Sequence, residues 1–118
     1  MLIAYTDASV HEGLAEICWR VEWGGTVISA GSRVLGIDYD SLYAEGMALV
    51  HVLDILKAMG IRGEVLVWIT DAKVIIDILN GRVRPSKPAM QFVVLNITWK
   101  AHELGIRIEP KYSNALDC

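Results

Sequence analysis

The spacing of apolar residues changes along this chain, and this change most limits the folds open to it. From Ala15 to Trp23, apolar and polar residues alternate, which is the period of a half-buried β-strand. From Ser41 to Met59, apolar residues recur at helical spacing, with Ser41 as the predicted N-cap and Gly60 closing the helix. A chain that changes period in this way is expected to fold as an α/β domain.

The remaining segments extend this pattern to the order β-β-β-α-β-α-α-β. Strands are predicted at Leu2–Thr6, Ala15–Trp23, Thr26–Leu35, Val65–Ile69 and Ile106–Lys111. Helices are predicted at Ser41–Met59, from an Asp71 cap to Asn80, and from Pro88 with an apolar stripe of Met90, Val94, Ile97, Ala101 and Leu104. Because right-handed crossovers dominate, strand 4 should lie parallel to strand 1. We therefore expect a five-stranded mixed sheet of order 3-2-1-4-5, flanked by helices.

Size and composition indicate one globular domain. The chain has 118 residues, of which 53% are hydrophobic, so we expect residues 1–118 to form a single domain with its own core. The net charge is −3, whereas a domain that holds nucleic acid by charge alone is usually basic. A nucleic-acid-binding function would therefore need a local basic patch or a bridging metal ion.

The location is predicted to be cytoplasmic. The first residues contain no basic lead and include Asp7, which is atypical of a signal peptide, and no apolar run is long enough for a membrane span. Cys18 and Cys118 are the only cysteines and lie far apart. They form no metal-binding spacing and no disulfide framework, which favours a reducing compartment.

Carboxylates follow or flank several of the predicted elements. Asp7 follows strand 1, and Asp71 follows strand 4. If these strands are parallel neighbours about 4.8 Å apart, the two carboxylates lie side by side. Glu45 falls on the apolar stripe of the first long helix, where an unpaired carboxylate is costly. Asp117 follows the last strand and is predicted to reach the same edge.

These acidic residues predict a metal site, although each has an ordinary alternative. Asp7 is also explained as a strand-end turn residue, Asp71 as an N-cap, Glu45 as a charge favoured by the helix dipole, and Asp117 as a solvated tail residue. Clustered carboxylates repel one another, and Mg²⁺ or Mn²⁺ with oxygen ligands relieves this repulsion. Two such ions, about 3.5–4 Å apart, can clamp the attacking and leaving oxygens of a phosphodiester.

Four segments in the same order resemble the motifs of type 1 ribonuclease H. They are Tyr5–Ser9, Ala44–Leu49, Ile69–Ala72 and Ser113–Asp117. The resemblance implies a ribonuclease H-like fold and cleavage of the RNA strand of RNA/DNA hybrids. It also implies Mg²⁺ or Mn²⁺ held by four catalytic and metal-binding carboxylates, namely Asp7, Glu45, Asp71 and Asp117. No small-molecule cofactor and no membrane are implied.

The segment from Gly81 to Pro88 is too short for the basic handle helix of many bacterial members, so the chain resembles the short form of the family. Arg82, Arg84 and Lys87 in this loop are predicted to contact nucleic acid, although an ordinary solvated loop explains them equally well. Ser9 and Ser41 are also predicted to contact nucleic acid.

Two alternatives to a hybrid-specific nuclease stay open from the sequence. Asp40, Ser41, Leu42 and Tyr43 stand where the family usually has an Asn-rich turn that reads the hybrid. This difference allows a nuclease of the same fold that acts on branched or single-stranded DNA. Many family members also carry a catalytic-loop histidine before the last aspartate, whereas His11, His51 and His102 of this chain all lie elsewhere. The lack of this histidine allows a degenerate, non-enzymatic interaction module.

Overall fold

The computed structural model describes residues 1–37 and 40–114. The described chain forms strands and helices in the predicted order. Their bounds are β1 Leu2–His11, β2 Leu14–Trp23, β3 Thr26–Ile37, α1 Ser41–Ala58, β4 Val65–Thr70, α2 Lys73–Leu79, α3 Pro88–Leu104 and β5 Arg107–Tyr112.

The strands form one five-stranded sheet of order β3-β2-β1-β4-β5, as predicted. β1 pairs antiparallel with β2, and β2 with β3, whereas β4 is parallel to both β1 and β5. The β2–β3 hairpin turns through Gly24 and Gly25, both with positive φ (59° and 81°), a conformation that glycine adopts without steric cost. The mixed sheet follows from this tight hairpin together with the helical crossover through α1.

β1 is longer than the sequence indicated, since it runs to His11 rather than ending at Thr6. All ten of its residues pair with β2, whereas its last pair with β4 is Tyr5 with Ile69. Pairing across the β1–β2 hairpin keeps the polar second half of β1 extended. Asp7 therefore lies within β1, beyond the point where pairing with β4 stops.

The main core lies between α1, α3 and one face of the sheet. Leu2, Ala4 and Trp68 point from the sheet into this core. The indole Nε1 of the fully buried Trp68 donates a hydrogen bond to Thr6 Oγ1 (2.8 Å). This bond satisfies two buried polar groups, one directly before Asp7 on β1 and one on β4, the strand that leads to Asp71.

The buried stripe of α3 differs by one residue from the prediction. Met90, Ile97, Ala101 and Leu104 are buried as expected, but Val93 is fully buried and Val94 only half-buried. Val93 packs against Gly46 of α1, where an added Cβ would lie only 3.0 Å from both Val93 Cγ atoms. This close approach of α1 and α3 fixes the rotation of α3 about its axis.

Two helix caps also differ from the predictions. The N-cap of α1 is Asp40, whose carboxylate accepts a hydrogen bond from the Tyr43 amide (2.7 Å), and Ser41 is the first helical residue. Asp40 and Ser41 are both good caps, so sequence alone did not separate them. The N-cap of α2 is Ala72, with no side-chain cap, and Asp71 is therefore not the cap of this helix.

Cys18, on β2, is disulfide-bonded. The prediction that the two cysteines form no disulfide framework was therefore wrong. The cysteines no longer favour a reducing compartment. Cysteine spacing along a sequence does not reveal which thiols folding brings together. Within residues 1–37 and 40–114, no helix is long and apolar enough to cross a membrane.

Candidate metal centre

The parallel pairing of β1 and β4 brings Asp7 and Asp71 to the same place. Tyr5 is opposite Ile69, and each aspartate lies two residues beyond this pair. Parallel strands lie about 4.8 Å apart, so equivalent positions present their side chains as neighbours. The register thus confirms that these two carboxylates meet.

α1 supplies the third carboxylate. Glu45 is in the second turn of this helix, and only 8% of its surface is exposed. Its chain neighbours Ala44 and Gly46 are also buried, because this side of α1 packs against the sheet and α3. The apolar stripe therefore aims Glu45 at the strands that carry Asp7 and Asp71.

The three side chains form one compact cluster. Asp7, Glu45 and Asp71 each offer one carboxylate oxygen, and these oxygens all lie within 4.8 Å of one another. The backbone amide of Ala8 donates to Asp7 Oδ1 (2.9 Å) and to Glu45 Oε1 (3.1 Å). This shared donor ties the helix carboxylate to the strand carboxylate.

Burial and like charge raise the pKa of the clustered carboxyls. The pKa of Glu45 is raised to about 8, mainly by burial and in addition by the charges of Asp71 and Asp7. Burial and the charge of Asp7 also raise the pKa of Asp71. No lysine or arginine in the described ranges forms an ion pair with any of the three. The cluster is therefore electrostatically uncompensated.

A divalent cation fits this cluster. The Oε2 atom of Glu45 is buried and has no hydrogen-bond partner among the described residues, which is costly for a carboxylate. The donor set consists of carboxylate oxygens, the ligands that Mg²⁺ and Mn²⁺ prefer. Two oxygens on one octahedral Mg²⁺ lie at most about 4.2 Å apart, so small side-chain rotations suffice for shared binding.

The turn after β4 holds Asp71 in position. The buried Thr70 side chain accepts a hydrogen bond from the Ala72 amide (3.1 Å), and the Thr70 carbonyl accepts one from Ser113 N (2.9 Å). The segment after β5 thus starts beside the carboxylate cluster. Asp117, the fourth predicted ligand, is outside the described residues, so its role stays a prediction.

The predicted nucleic-acid contacts fall in three places. Ser9 lines a crevice with Asp7, and Ser41 lines a groove with Glu45 and Asp71. Arg84 and Lys87 line a separate cavity of about 150 Å³, together with Asp40.

Arg82, the remaining predicted nucleic-acid contact, lines none of these cavities. Its guanidinium pairs with Asp77 of α2 (3.2 Å). This pairing supports a structural role for Arg82, although its predicted nucleic-acid contact stays untested.

Sequence reasoning missed three groups near the cluster. They are the Ala8 amide, Glu16 in the Asp7 crevice and Lys73 in the Glu45 groove. A backbone amide has no sequence signature. The alternation in β2 places Glu16 on the polar face of that strand and does not by itself indicate a site. Its pairing with Ser9 follows from the β1–β2 hairpin.

The fold is similar to those of ribonuclease H structures. The N-terminal RNase H domain of Rv2228c from Mycobacterium tuberculosis, solved as a fusion with maltose-binding protein, has a TM-score of 0.85 and 18% identity. The match covers 97% of this chain and 82% of that chain. RNase H1 from the halophilic archaeon Halobacterium salinarum has a TM-score of 0.85 and 16% identity, over 97% of this chain and 86% of that one.

A third similar structure is LC11-RNase H1 in complex with an RNA/DNA hybrid. Its TM-score is 0.84 at 18% identity, over 95% of this chain and 86% of that one. No protein-family model and no curated protein sequence matches this chain. At these identities the likeness establishes the fold, and the chain therefore has the ribonuclease H fold.

Proposed function

We propose that this protein is a metal-dependent endonuclease that cleaves the RNA strand of RNA/DNA hybrids. The observation that carries the proposal is the convergence of Asp7, Glu45 and Asp71 from three separate elements. The ribonuclease H fold supports it, and one structure of similar fold holds an RNA/DNA hybrid. Fold alone does not fix function, so the carboxylate cluster is the main support for this activity.

The residues of the cluster have distinct tasks in this proposal. Asp7 and Asp71 hold the ions from adjacent strands, and Glu45 contributes the oxygen that otherwise lacks a partner. The Ala8 amide keeps Asp7 and Glu45 at a fixed separation. Asp117 completes the ligand set. When bound, two Mg²⁺ or Mn²⁺ ions would activate the attacking water and stabilise the leaving oxygen of the phosphodiester.

Substrate recognition is proposed to depend on shape rather than on sequence. A hybrid offers a wide, shallow minor groove lined with 2′-hydroxyls, which small polar side chains can contact. Ser9 and Ser41 lie in the crevices beside the carboxylates, which supports this role for them. Arg84 and Lys87 are proposed to contact backbone phosphates, as is Arg82 when released from Asp77.

A nuclease that prefers branched or single-stranded DNA is the second candidate. The observation that favours it is the use of the Asp40 carboxylate as the cap of α1, at the position where the family usually reads the hybrid. A panel of hybrid, duplex, branched and single-stranded substrates separates the two candidates. Preferred cutting of branched or single-stranded DNA would favour the second candidate.

The decisive experiment compares wild-type protein with Asp7→Asn and Asp54→Asn on a labelled hybrid in Mg²⁺ or Mn²⁺. Asp54 pairs with Lys100 on the outside of α1, so its substitution gives the same change of charge away from the cluster. We expect wild type and Asp54→Asn to cleave, and Asp7→Asn to lose activity by at least about 100-fold, because a metal ligand is removed.

Calorimetric titration with Mn²⁺ tests the non-enzymatic alternative independently. A catalytically degenerate interaction module predicts weak or absent binding, whereas the proposed nuclease predicts binding that Asp7→Asn weakens. Absence of cleavage by folded wild-type protein, or equal cleavage by Asp7→Asn, would overturn the proposal.

The cytoplasmic location also stays a prediction, to be tested by localisation in cells.

A further inference from the structure

The outer face of α3 carries large apolar side chains that no other part of the described chain covers. Phe92, Leu95 and Trp99 are 57%, 67% and 68% exposed. They follow one another at helical spacing and, with Asn96, line a shallow groove of about 500 Å³. We call Phe92, Leu95, Asn96 and Trp99 the α3 stripe. It faces away from the core, which Val93 and Ile97 enter from the opposite side of the helix.

The charged residues of α3 pair with α1. Lys100 Nζ contacts Asp54 (2.7 Å), and Glu103 contacts Lys57 (2.6 Å). Lys100 and Glu103 are the only Asp, Glu, Lys or Arg residues of α3, so the stripe has no charge of its own to keep it hydrated. Isolated exposed apolar residues are ordinary, but a continuous uncharged row marks an interaction surface.

We propose that the α3 stripe is the interface of a symmetric dimer, in which α3 packs antiparallel against α3 of a second copy. Phe92 and Trp99 are equally far from the midpoint between Leu95 and Asn96. An antiparallel copy therefore places Phe92 of each chain against Trp99 of the other, while the Leu95 side chains meet near the two-fold axis. A two-fold interface must be self-complementary in this way. Antiparallel packing also brings the positive end of one helix dipole to the negative end of the other.

The area available for this dimer interface is small. A large aromatic side chain buries about 150–250 Å², so three side chains that are about two-thirds exposed offer roughly 400 Å² per chain. With the flanking surface of a helix about 25 Å long, the pair buries about 1,000 Å² in total, the lower limit for a specific interface. We therefore expect a weak dimer with a Kd on the order of 10⁻⁵ to 10⁻⁴ M.

Sedimentation of the full chain from about 5 to about 500 μM tests the proposal, since this range spans the expected Kd. Wild-type protein should rise from the mass of one chain toward twice that mass. Leu95→Asp should stay monomeric, because it places two carboxylates near the two-fold axis. Trp99→Ala, which introduces no charge, should weaken dimerisation at least about 10-fold by removing the aromatic contact. Circular dichroism establishes that each variant is folded.

Val27→Asp is the matched control. Val27 is an exposed valine on the edge strand β3, so its substitution adds the same charge to another apolar position and should leave the dimer intact. Loss of the dimer in Val27→Asp but not in Leu95→Asp would assign self-association to the sheet edge and overturn the proposal. A wild-type chain that stays monomeric over the whole range would overturn it as well, as would capture of a different partner by a monomeric chain.

Discussion

At the residue scale, Glu45 connects the fold to the proposed chemistry. Its carboxylate is buried next to Asp7 and Asp71, and one of its oxygens has no partner within the described part of the chain. Burial of an uncompensated charge opposes folding unless the group binds a proton or a cation. In the metal-free protein, Glu45 therefore opposes folding least in its protonated form, and a bound cation, as in the proposed function, would remove the same penalty at neutral pH.

The stability of the metal-free protein should fall as pH rises from about 4.5 to about 8. Glu45 has a pKa of about 8 in the folded protein and 4.5 as the ordinary value, so the native state binds more protons between these limits. This one group can contribute a slope of at most about 1.4 kcal/mol per pH unit to the free energy of unfolding. Urea unfolding with a chelator present measures the slope.

Glu45→Gln should reduce that slope, because glutamine does not titrate. Glu64→Gln changes the charge equally just before β4, at the opposite end of this strand from Asp71, and should leave the slope unchanged. An unchanged slope in Glu45→Gln would show that other groups carry the pH dependence.

At the element scale, the close approach of α1 and α3 determines where Glu45 points. Gly46 follows Glu45 in the chain, and an added Cβ at this position would meet both methyl groups of Val93 at 3.0 Å. Valine is stiff about χ1, so Val93 cannot rotate away easily. The absence of a side chain at Gly46 thus lets α1 approach α3, while the adjacent Glu45 reaches the carboxylate cluster.

Gly46→Ala should lower the free energy of unfolding by about 1 kcal/mol. Overpacking a core costs about 1–3 kcal/mol, and the better helix propensity of alanine returns about 1 kcal/mol at most. Chemical denaturation measures the change.

The double variant Gly46→Ala with Val93→Ala tests the cause of that loss. The two substitutions should cost less together than the sum of their separate costs, because the smaller residue 93 makes room for the new methyl group. Simple additivity of the two costs would contradict the steric explanation.

At the scale of the whole molecule, a net charge of −3 must be reconciled with the polyanionic substrate of the proposed function. Overall attraction cannot supply the affinity for such a substrate, so the proposed function needs local cations and metal ions at the cluster. Arg84 and Lys87 share one cavity near the start of α1, on the side of the molecule that carries Ser41.

Replacing Arg84 and Lys87 by alanine should weaken binding of an RNA/DNA hybrid and lower the salt dependence of log K by up to about 2, one for each lost phosphate contact. Fluorescence anisotropy at several salt concentrations, with Ca²⁺ in place of Mg²⁺, measures both quantities. Arg62→Ala with Arg107→Ala removes the same charge near the amino ends of β4 and β5 and should leave the salt slope unchanged. Equal effects of the two double variants would indicate a general charge effect instead of two phosphate contacts.

Most of the architecture was predictable, because it depends on local periodicity. Alternation over Ala15–Trp23 and helical spacing from Ser41 gave the order of elements, and the handedness of crossovers gave the strand order. The meeting of Asp7 with Asp71 follows from that order, and Glu45 was recognisable as a charge on an apolar stripe. The errors are shifts of one residue. Val93 and not Val94 is fully buried in α3, and Asp40 and not Ser41 caps α1.

Local sequence therefore specified the elements and the three carboxylates, because hydrophobic period and residue type act over a few neighbouring residues. The shared Ala8 hydrogen bond, the raised pKa of Glu45, the disulfide of Cys18 and the outward direction of Trp99 followed from tertiary structure alone. Each of these depends on distances and burial between segments that are far apart in the chain, and such distances exist only once the segments have packed together.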